Sequence, residues 1–148
     1  MSNDQVKELI LSFAPDTVFD EASEFLNVPV ELIHFRKIAE ALRQKGMDFL
    51  FCLTCVDWKT HLTVVYHLRA TTDHNAIVLK VNVDRANPEI ETVCDIWRTA
   101  EFHEREVFEM FGVQFKNHPD LRRLILEDDF KGFPLRKDFE DPINMIKL

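Results

Sequence analysis

Cys52 and Cys55 form a Cys-x-x-Cys spacing, which in other proteins holds a metal ion or cycles between dithiol and disulfide. The surrounding residues 49–58 are rich in β-branched and aromatic side chains, a composition typical of a buried strand. Residues three apart on a strand point to opposite faces, so the two sulfurs cannot easily reach one ion. Cys94 is the only other thiol. We therefore interpret all three cysteines as reduced core residues and expect neither a metal site nor an Fe–S cluster.

A second chemical candidate is the charged stretch from His103 to Glu109. It begins like the zinc-protease motif His-Glu-x-x-His, but Val107 stands where the second metal-binding histidine must be. Glu106 and Glu109 could share acid–base work. Charged pairs at such spacing are usually intrahelical contacts worth ~0.2–0.5 kcal/mol each. A stand-alone acidic enzyme that uses Glu104, Glu106 or His103 is therefore the third of three functional hypotheses.

The composition argues against nucleotide, nucleic-acid and membrane-spanning functions. Three glycines in the whole chain cannot build a glycine-rich phosphate cradle. A formal net charge of -8 disfavours binding to a phosphate backbone. The hypothesis of a local basic patch between Arg122 and Lys137 is kept as an alternative. The sequence has neither a run of about 18 apolar residues nor a signal-peptide pattern. We expect a soluble, cytoplasmic chain without a nucleotide or flavin site.

The spacing of apolar residues predicts two amphipathic helices in the first third of the chain. Apolar side chains recur at helical spacing over residues 4–13, and Pro15 ends that pattern. Residues 30–46 keep a broad apolar face, with Pro29 placed at the first helical position and Gly46 at the end. These helices are expected to cover one face of a sheet.

After residue 47 the pattern changes to the alternation and β-branched content of strands. Lys59-Thr60 suits a hairpin turn, and a short helical segment is predicted over residues 91–97. Helices before and after a block of strands favour an α+β, two-layer fold, with a small mainly antiparallel or mixed sheet and helices on one face. The predicted strands and extended pieces are residues 17–20, 25–28, 47–58, 61–70 and 75–84.

The last third combines a short helix with an extended C-terminal tail. Charged and apolar residues interleave over 101–111, and Gly112 suits the end of a helix. Later prolines prevent a longer helix, because each removes a backbone donor. We therefore divide the chain into an α+β domain, residues 1–100, and a helix with a docking tail, residues 101–148, in the same structural unit. The tail is defined as residues 113–148.

Two similar phrases punctuate the tail, residues 119–123 (PDLRR) and residues 134–138 (PLRKD). Each places a proline, a leucine anchor and two cations beside a carboxylate. Arginine binds carboxylates through a planar fork of donors. We therefore expect Arg122, Arg123, Arg136 and Lys137 to pin the tail to an acidic, partly apolar partner surface. The expected apolar anchors are Leu121, Phe130, Leu135 and Phe139.

Three runs in the last third, HEREVFEMFGVQF, NHPDLRRLIL and GFPLRKDF, together resemble the signature of the C-subunit ("30 kDa" subunit) family of respiratory complex I. Glu109 stands where aspartate is common, and Asn117 and Phe133 replace a familiar glycine and histidine. The first hundred residues agree with the family only in general pattern. The residues that match the signature are Glu104, Arg105, Glu106, Phe111, Gly112, His118, Pro119, Asp120, Leu121, Arg122, Arg123, Pro134, Leu135, Arg136, Lys137, Asp138 and Phe139.

The resemblance implies a structural and assembly subunit of the peripheral arm of a proton-translocating NADH:quinone oxidoreductase. It implies docking on the subunit that forms the quinone site, near the Fe–S subunits, on the cytoplasmic side of the membrane. No cofactor is expected in this chain. Fe–S clusters, FMN and quinone are expected in its partners, and the signature residues are expected to dock rather than to catalyse.

A second hypothesis keeps the fold and changes the reaction. Membrane-bound hydrogenases and ferredoxin-dependent complexes use a similar subunit, so the resemblance alone leaves the electron donor open. The proteins that accompany the chain would separate these two hypotheses.

Overall fold

The computed structural model describes residues 1–124, 126 and 131–139. Its centre is a mixed four-stranded sheet in the order β1-β4-β3-β2. Strands β2, β3 and β4 are antiparallel neighbours, whereas β1 pairs parallel with β4 and forms one edge. The strands are β1 (Leu26–Val30), β2 (Phe49–Asp57), β3 (His61–Arg69) and β4 (Ala76–Asp84).

Three helices cover one face of this sheet, as the sequence predicted. They are α1 (Asn3–Phe13), α2 (Leu32–Gln44) and α3 (Ala100–Phe111). The Phe35 ring of α2 lies 4.8 Å from the Tyr66 ring of β3, measured between centroids. Alternate residues of β3, from Leu62 through Tyr66 to Leu68, are fully buried beneath the helices. The predicted α+β, two-layer fold is confirmed.

Local chemistry explains where the first helix begins and why the central hairpin forms. The Ser2 hydroxyl accepts a hydrogen bond from the backbone N–H of Gln5, and the side-chain carbonyl of Gln5 accepts one from the backbone N–H of Ser2. These two bonds form a capping box at the start of α1. The predicted turn at Lys59-Thr60 joins β2 to β3. Lys59 adopts a positive φ of 71°, and its amide donates to the Asp57 carboxylate.

Two predictions around β1 are wrong. Pro29 does not begin α2 but lies within β1, opposite Lys80 of β4. An edge strand tolerates proline because the missing N–H can face away from the ladder. Residues 17–20 form no strand, and only Asp20 makes an isolated bridge with Asn27.

The prediction of a helical segment over residues 91–97 is also wrong. At the start of this segment the chain forms a strand instead, β5 (Glu89–Glu91), which pairs with β6 (Gln114–Lys116) in a small parallel sheet. The Thr92 amide extends this pairing by donating to the Lys116 carbonyl over 2.9 Å. The chain then makes turns, and α3 begins only at Ala100. The partner strand lies more than twenty positions along the chain, so local periodicity could not predict it.

The cysteine pair occupies opposite faces of β2. Cys55 is buried in the core, and burial raises the pKa of its thiol to about 12. Cys52 lies across from His67, on the face away from the helices. Within residues 1–124, 126 and 131–139, no group of three histidine, cysteine or acidic side chains could hold a metal ion. The same residues include no helix that is long and apolar enough to cross a membrane.

The Tyr66 hydroxyl is buried without a hydrogen-bond partner among the described residues. We therefore expect Tyr66→Phe to retain or raise the free energy of unfolding, by up to ~1 kcal/mol, since it removes an unsatisfied polar group. Thr63→Val on the same strand should lose ~1–2 kcal/mol, because the Thr63 hydroxyl bonds both Trp58 and Asn82. Urea unfolding of both variants decides the matter. A larger loss for Tyr66→Phe than for Thr63→Val would show that the tyrosine hydroxyl has a partner.

Candidate functional site

Helix α3 buries three charged side chains of the signature region. Glu104 and Glu109 have no exposed surface, and Arg105 is 7% exposed, whereas Glu106 of the same helix is exposed. A buried charge costs several kcal/mol unless hydrogen bonds and opposite charges compensate it. The partners of these three side chains therefore reveal what the helix is built to hold.

Arg105 holds the backbone of the tail. Its Nε donates to the Arg122 carbonyl over 3.0 Å, and its Nη2 donates to the Arg123 carbonyl over 3.2 Å. The planar guanidinium thus spans two successive peptide units. The Arg122 side chain remains 70% exposed and pairs with Asp120 over 3.0 Å. The backbone of this segment faces its own domain, while the Arg122 guanidinium faces outward.

Glu109 extends the same contact one helical turn along α3. Its Oε1 accepts a hydrogen bond from the Leu126 amide. Arg105 and Glu109 are four residues apart and so share one face of the helix. Together they fix the tail at residues 122 and 123 and again at residue 126. Glu106 and Glu109 were candidates for shared acid–base work, but of these two residues only Glu109 turns toward the tail.

Glu104 faces the turn before the helix rather than the tail. Its carboxylate accepts hydrogen bonds from the Thr92 hydroxyl and from the Val93 amide, the latter over 3.0 Å. Burial raises the pKa of Glu104 from 4.5 to about 7, against the opposing effect of these hydrogen bonds. The Glu104 carboxyl therefore titrates near neutrality while it ties α3 to the turn after β5.

His118 lies beside Glu104 with no exposed side-chain surface. Its Nδ1 accepts from the Asp120 amide over 3.0 Å, which leaves Nε2 to carry the proton. Nε2 then donates to the Glu101 carbonyl over 3.0 Å and lies 4.0 Å from the Glu104 carboxylate. The ring thus fastens the start of the tail to the first turn of α3.

The second tail phrase caps the end of α3. The Leu135 amide donates to the Met110 carbonyl over 3.0 Å, and Arg136 Nε donates to the Phe111 carbonyl over 2.6 Å. Gly112 has a φ of 81°, and a Cβ there would lie 2.7 Å from the ring of Phe133. Glycine is therefore needed both for the helix end and for the packing of the tail.

Asp57 anchors the tail to the sheet, and no motif in the sequence marks it. Its side chain is 1% exposed and accepts two hydrogen bonds of 2.9 Å from Arg85. The Lys59 and Lys137 amides each donate to it over 2.8 Å. Arg85 holds the pKa of Asp57 well below its usual range despite burial. Arg85 also pairs with Asp138 over 3.3 Å, which adds a second tail contact.

The structure gathers most of the predicted signature residues into two clusters, one along α3 and one at its end. Leu121 is partly buried and packs against the core. The Phe139 ring packs against Gly132, where an added Cβ would lie 3.2 Å from the ring. Leu135 is 57% exposed. Phe130 and residues 140–148 of the predicted tail lie outside the described residues. The cluster along α3 comprises Glu104, Arg105, His118, Pro119, Asp120, Arg122 and Arg123, and the other comprises Phe111, Gly112, Pro134, Leu135, Arg136, Lys137 and Asp138.

Glu104 should make the stability of the protein depend on pH. Its pKa is higher in the folded than in the unfolded state, so its protonated form stabilises the fold below pH ~4.5, and this contribution is lost as the pH rises through about 7. Glu104→Gln should flatten this profile and unfold with a free energy up to ~3 kcal/mol higher than wild type at pH ~8. Urea unfolding between pH ~5 and ~8 measures it. Glu106→Gln, on the exposed side, is the control. Parallel profiles for wild type and Glu104→Gln would contradict the assignment.

The fork of Arg105 should be required to hold the tail. Arg105→Lys removes the planar pair of donors, so residues 122 and 123 should open locally more often. We expect trypsin to cleave after these two arginines at least ~10-fold faster, with a loss of only ~1–3 kcal/mol in global stability. Arg98→Lys, at an exposed position before α3, is the matched control. Equal cleavage rates in wild type and Arg105→Lys would show that the fork is dispensable.

Several known proteins are similar to this chain over most of its length. The family described as "Respiratory-chain NADH dehydrogenase, 30 Kd subunit" matches residues 28–143. The C subunit of the NADH-quinone oxidoreductase of Moorella thermoacetica is 38% identical over 125 residues, covering 80% of this chain and 84% of the relative. The corresponding C subunit of a Roseiflexus species is 37% identical over 147 residues, covering 93% and 84%.

A longer relative carries the same region as part of a larger chain. The NADH-quinone oxidoreductase C/D subunit of Phocaeicola vulgatus is 46% identical over 129 residues, which is 85% of this chain. The chain spans only 24% of that relative.

Two solved structures share the fold. The trypsin-resistant fragment of Nqo5 superimposes with a TM-score of 0.74 at 28% identity, covering 82% of this chain and all of the fragment. A chain of the membrane-bound sulfane sulfur reductase, described as an archaeal respiratory membrane complex, gives 0.79 at 27% identity, covering 93% of this chain and 85% of its own. The resemblance inferred from the signature is confirmed: the chain belongs to the family of the 30 kDa subunit of respiratory-chain NADH dehydrogenase.

Proposed function

We propose that this chain is a cofactor-free structural and assembly subunit in the peripheral arm of a proton-translocating NADH:quinone oxidoreductase. One observation carries the proposal: buried charges hold the backbone of the tail, so the tail is displayed in a fixed conformation. Arg105 binds the carbonyls of Arg122 and Arg123, and Asp57 binds the Lys137 amide. Such anchoring lowers the entropy that a docking segment loses when it binds.

The displayed side chains suit a partner that is acidic and partly apolar. Phe102 is 60% exposed, Leu135 57% and Leu124 38%, and the Arg122 side chain is 70% exposed. We call these four side chains, three of the tail and Phe102 of α3, the tail surface. Arginine and large exposed apolar side chains are typical of the anchors of protein interfaces. The tail surface is therefore the proposed contact with the rest of the complex.

The proposed partner is the subunit that forms the quinone site, with the Fe–S subunits as further neighbours. The Phocaeicola vulgatus relative is named as a C/D protein, and the region similar to this chain makes up 24% of it. A fused chain keeps its parts close together, which supports the protein equivalent to the D part as the direct neighbour. In this proposal the Fe–S clusters, FMN and quinone belong to partners, and the chain is peripheral on the cytoplasmic side of the membrane.

A stand-alone enzyme is a weaker proposal. A catalytic acid or base must reach its substrate. Glu104, one of the three residues named for such a role, is fully buried and bonds the Thr92 hydroxyl and the Val93 amide. Its carboxylate therefore serves the protein's own structure.

An equivalent subunit of another respiratory membrane complex is the second candidate. The similarity to a chain of the sulfane sulfur reductase complex, with a TM-score of 0.79, favours a scaffold that serves more than one complex. A membrane-bound hydrogenase or a ferredoxin-dependent complex belongs to the same class. Copurifying NADH-binding subunits would support the first proposal, and a nickel-site subunit would support the second.

Charge reversal on the tail surface tests the docking role. Arg122→Glu should lower recovery of the tagged chain in the purified complex more than Arg122→Ala does, because a like charge in a desolvated interface costs ~2–5 kcal/mol. Lys45→Glu, an exposed cation after α2, is the control. Circular dichroism should show that all three variants are folded. Full occupancy of Arg122→Glu in a complex that has lost turnover would assign the tail to chemistry and contradict the docking role.

A further inference from the structure

A groove with a volume of about 970 Å³ runs from the face of the sheet away from the helices, past the edge strand β1, to side chains of α1 and α2 such as Phe13 and His34. Its floor crosses β2, β3 and β4, and its rims are residues 13–18, from the end of α1 onward, and residues 29–34, from the end of β1 into α2. We call this feature the sheet groove. The floor residues that matter here are Val56, Trp58, Thr63, Val65, Lys80 and Asn82.

The sheet groove exposes large apolar side chains. Trp58 is 56% exposed on the floor, and Val18 and Leu32 are 79% and 45% exposed on the rims. An antiparallel sheet that faces water normally alternates apolar and polar residues, with the polar ones outward. Here Val56, which is half-buried, and Val65 also line the open side. Clustered exposed apolar side chains mark an interaction surface.

The polar groups of the floor are largely used within the protein. Trp58 Nε1 donates to the Thr63 hydroxyl over 3.0 Å, and that hydroxyl donates to Asn82 Oδ1 over 2.7 Å. Small-molecule sites rely on a few convergent polar groups that await a ligand. The flat, internally bonded floor favours packing against another protein element instead.

Charge defines what can cover the floor. Lys80 is exposed on β4, and none of the ion pairs formed by the described residues includes it. A covered lysine needs a carboxylate partner. The floor supplies none, although the chain has 26 acidic residues against 18 lysines and arginines. Asp16 and Glu31 lie on the rims, where they would face cations of an occupant.

The sheet groove has room for a short stretch of helix. A helix about 10 Å across with a rise of 1.5 Å per residue occupies ~120 Å³ per residue, so the groove corresponds to ~8 residues, or two turns. We propose that the sheet groove docks an amphipathic helix of another subunit, with an apolar stripe over Trp58 and a carboxylate over Lys80. This inference rests on the proposed function, because it requires an assembly, and it adds a second contact that shares no residue with the tail surface.

Cysteine footprinting of the assembled complex tests the proposal. Asn82→Cys places a thiol on the floor, and Glu8→Cys places one on the exposed side of α1 as the control. Iodoacetamide labelling is followed at each introduced thiol by peptide mass spectrometry. We expect the floor thiol to react at least ~10-fold more slowly in the complex than in the isolated chain. The control should react equally in both. His61→Cys repeats the measurement without disturbing the bond between Thr63 and Asn82.

The charge requirement is tested in the Asn82→Cys background. Lys80→Glu should abolish most of the protection in the complex, and Lys80→Gln should reduce it less. If Lys80→Glu and Lys80→Gln both leave the protection as it is in the Asn82→Cys parent, the proposed carboxylate partner is overturned. Replacing Trp58 with a photo-crosslinking phenylalanine should link the chain to a segment with helical apolar spacing and an acidic residue. A crosslink to a second copy of this chain would overturn the proposal.

The outcomes also separate this inference from the proposed function. If the chain is absent from every purified complex, the proposed function fails. If the chain is incorporated and the floor thiol stays reactive, the helix docking fails and the proposed function stands. Protection of the floor thiol already in the isolated chain would point to a small molecule or to self-association, and would overturn the helix docking as well.

Discussion

The structure depends on how the buried charges of α3 are compensated. This helix buries Glu104, Arg105 and Glu109, which are at most 7% exposed. Left unpaired, three buried charges would cost an amount of free energy comparable to the whole stability of a small domain. Glu104 accepts hydrogen bonds from the Thr92 hydroxyl and the Val93 amide, which precede the helix. Arg105 and Glu109 bond backbone groups of tail residues 122, 123 and 126. Helix, turn and tail therefore stabilise one another.

Asp57 of the sheet is a further buried charge that is compensated by hydrogen bonds. It stands at the end of β2 and collects donors from its own hairpin, from Arg85 after β4 and from the Lys137 amide. The described part of the tail is thus fastened at both ends of its course. In the contacts with Arg105, Glu109 and Asp57 the tail contributes backbone, so its exposed side chains are left for a partner. A protein that must present a fixed surface gains from this division.

The scaffold itself does not specify a reaction. Similar chains occur in proteins named as C subunits, in a C/D protein and in a membrane-bound sulfane sulfur reductase complex, at 27–46% identity. For this chain we propose a function that resides in the surfaces that meet other subunits. The tail surface and the sheet groove share no residue, so the two proposed contacts are compatible with each other.

Sequence alone determined the elements whose signal is local. The period of apolar residues predicted α1, α2 and the three long strands, Lys59-Thr60 predicted the hairpin, and Gly112 predicted the end of α3, because each depends on neighbours in the chain. The signature also identified the family. Only the tertiary structure placed Pro29 in a strand, paired β5 with β6, turned residues 91–97 away from a helix, and joined Asp57 to Arg85. Each of these is decided by a partner distant in sequence, and a carboxylate or an amide carries no local mark of whether it will meet one.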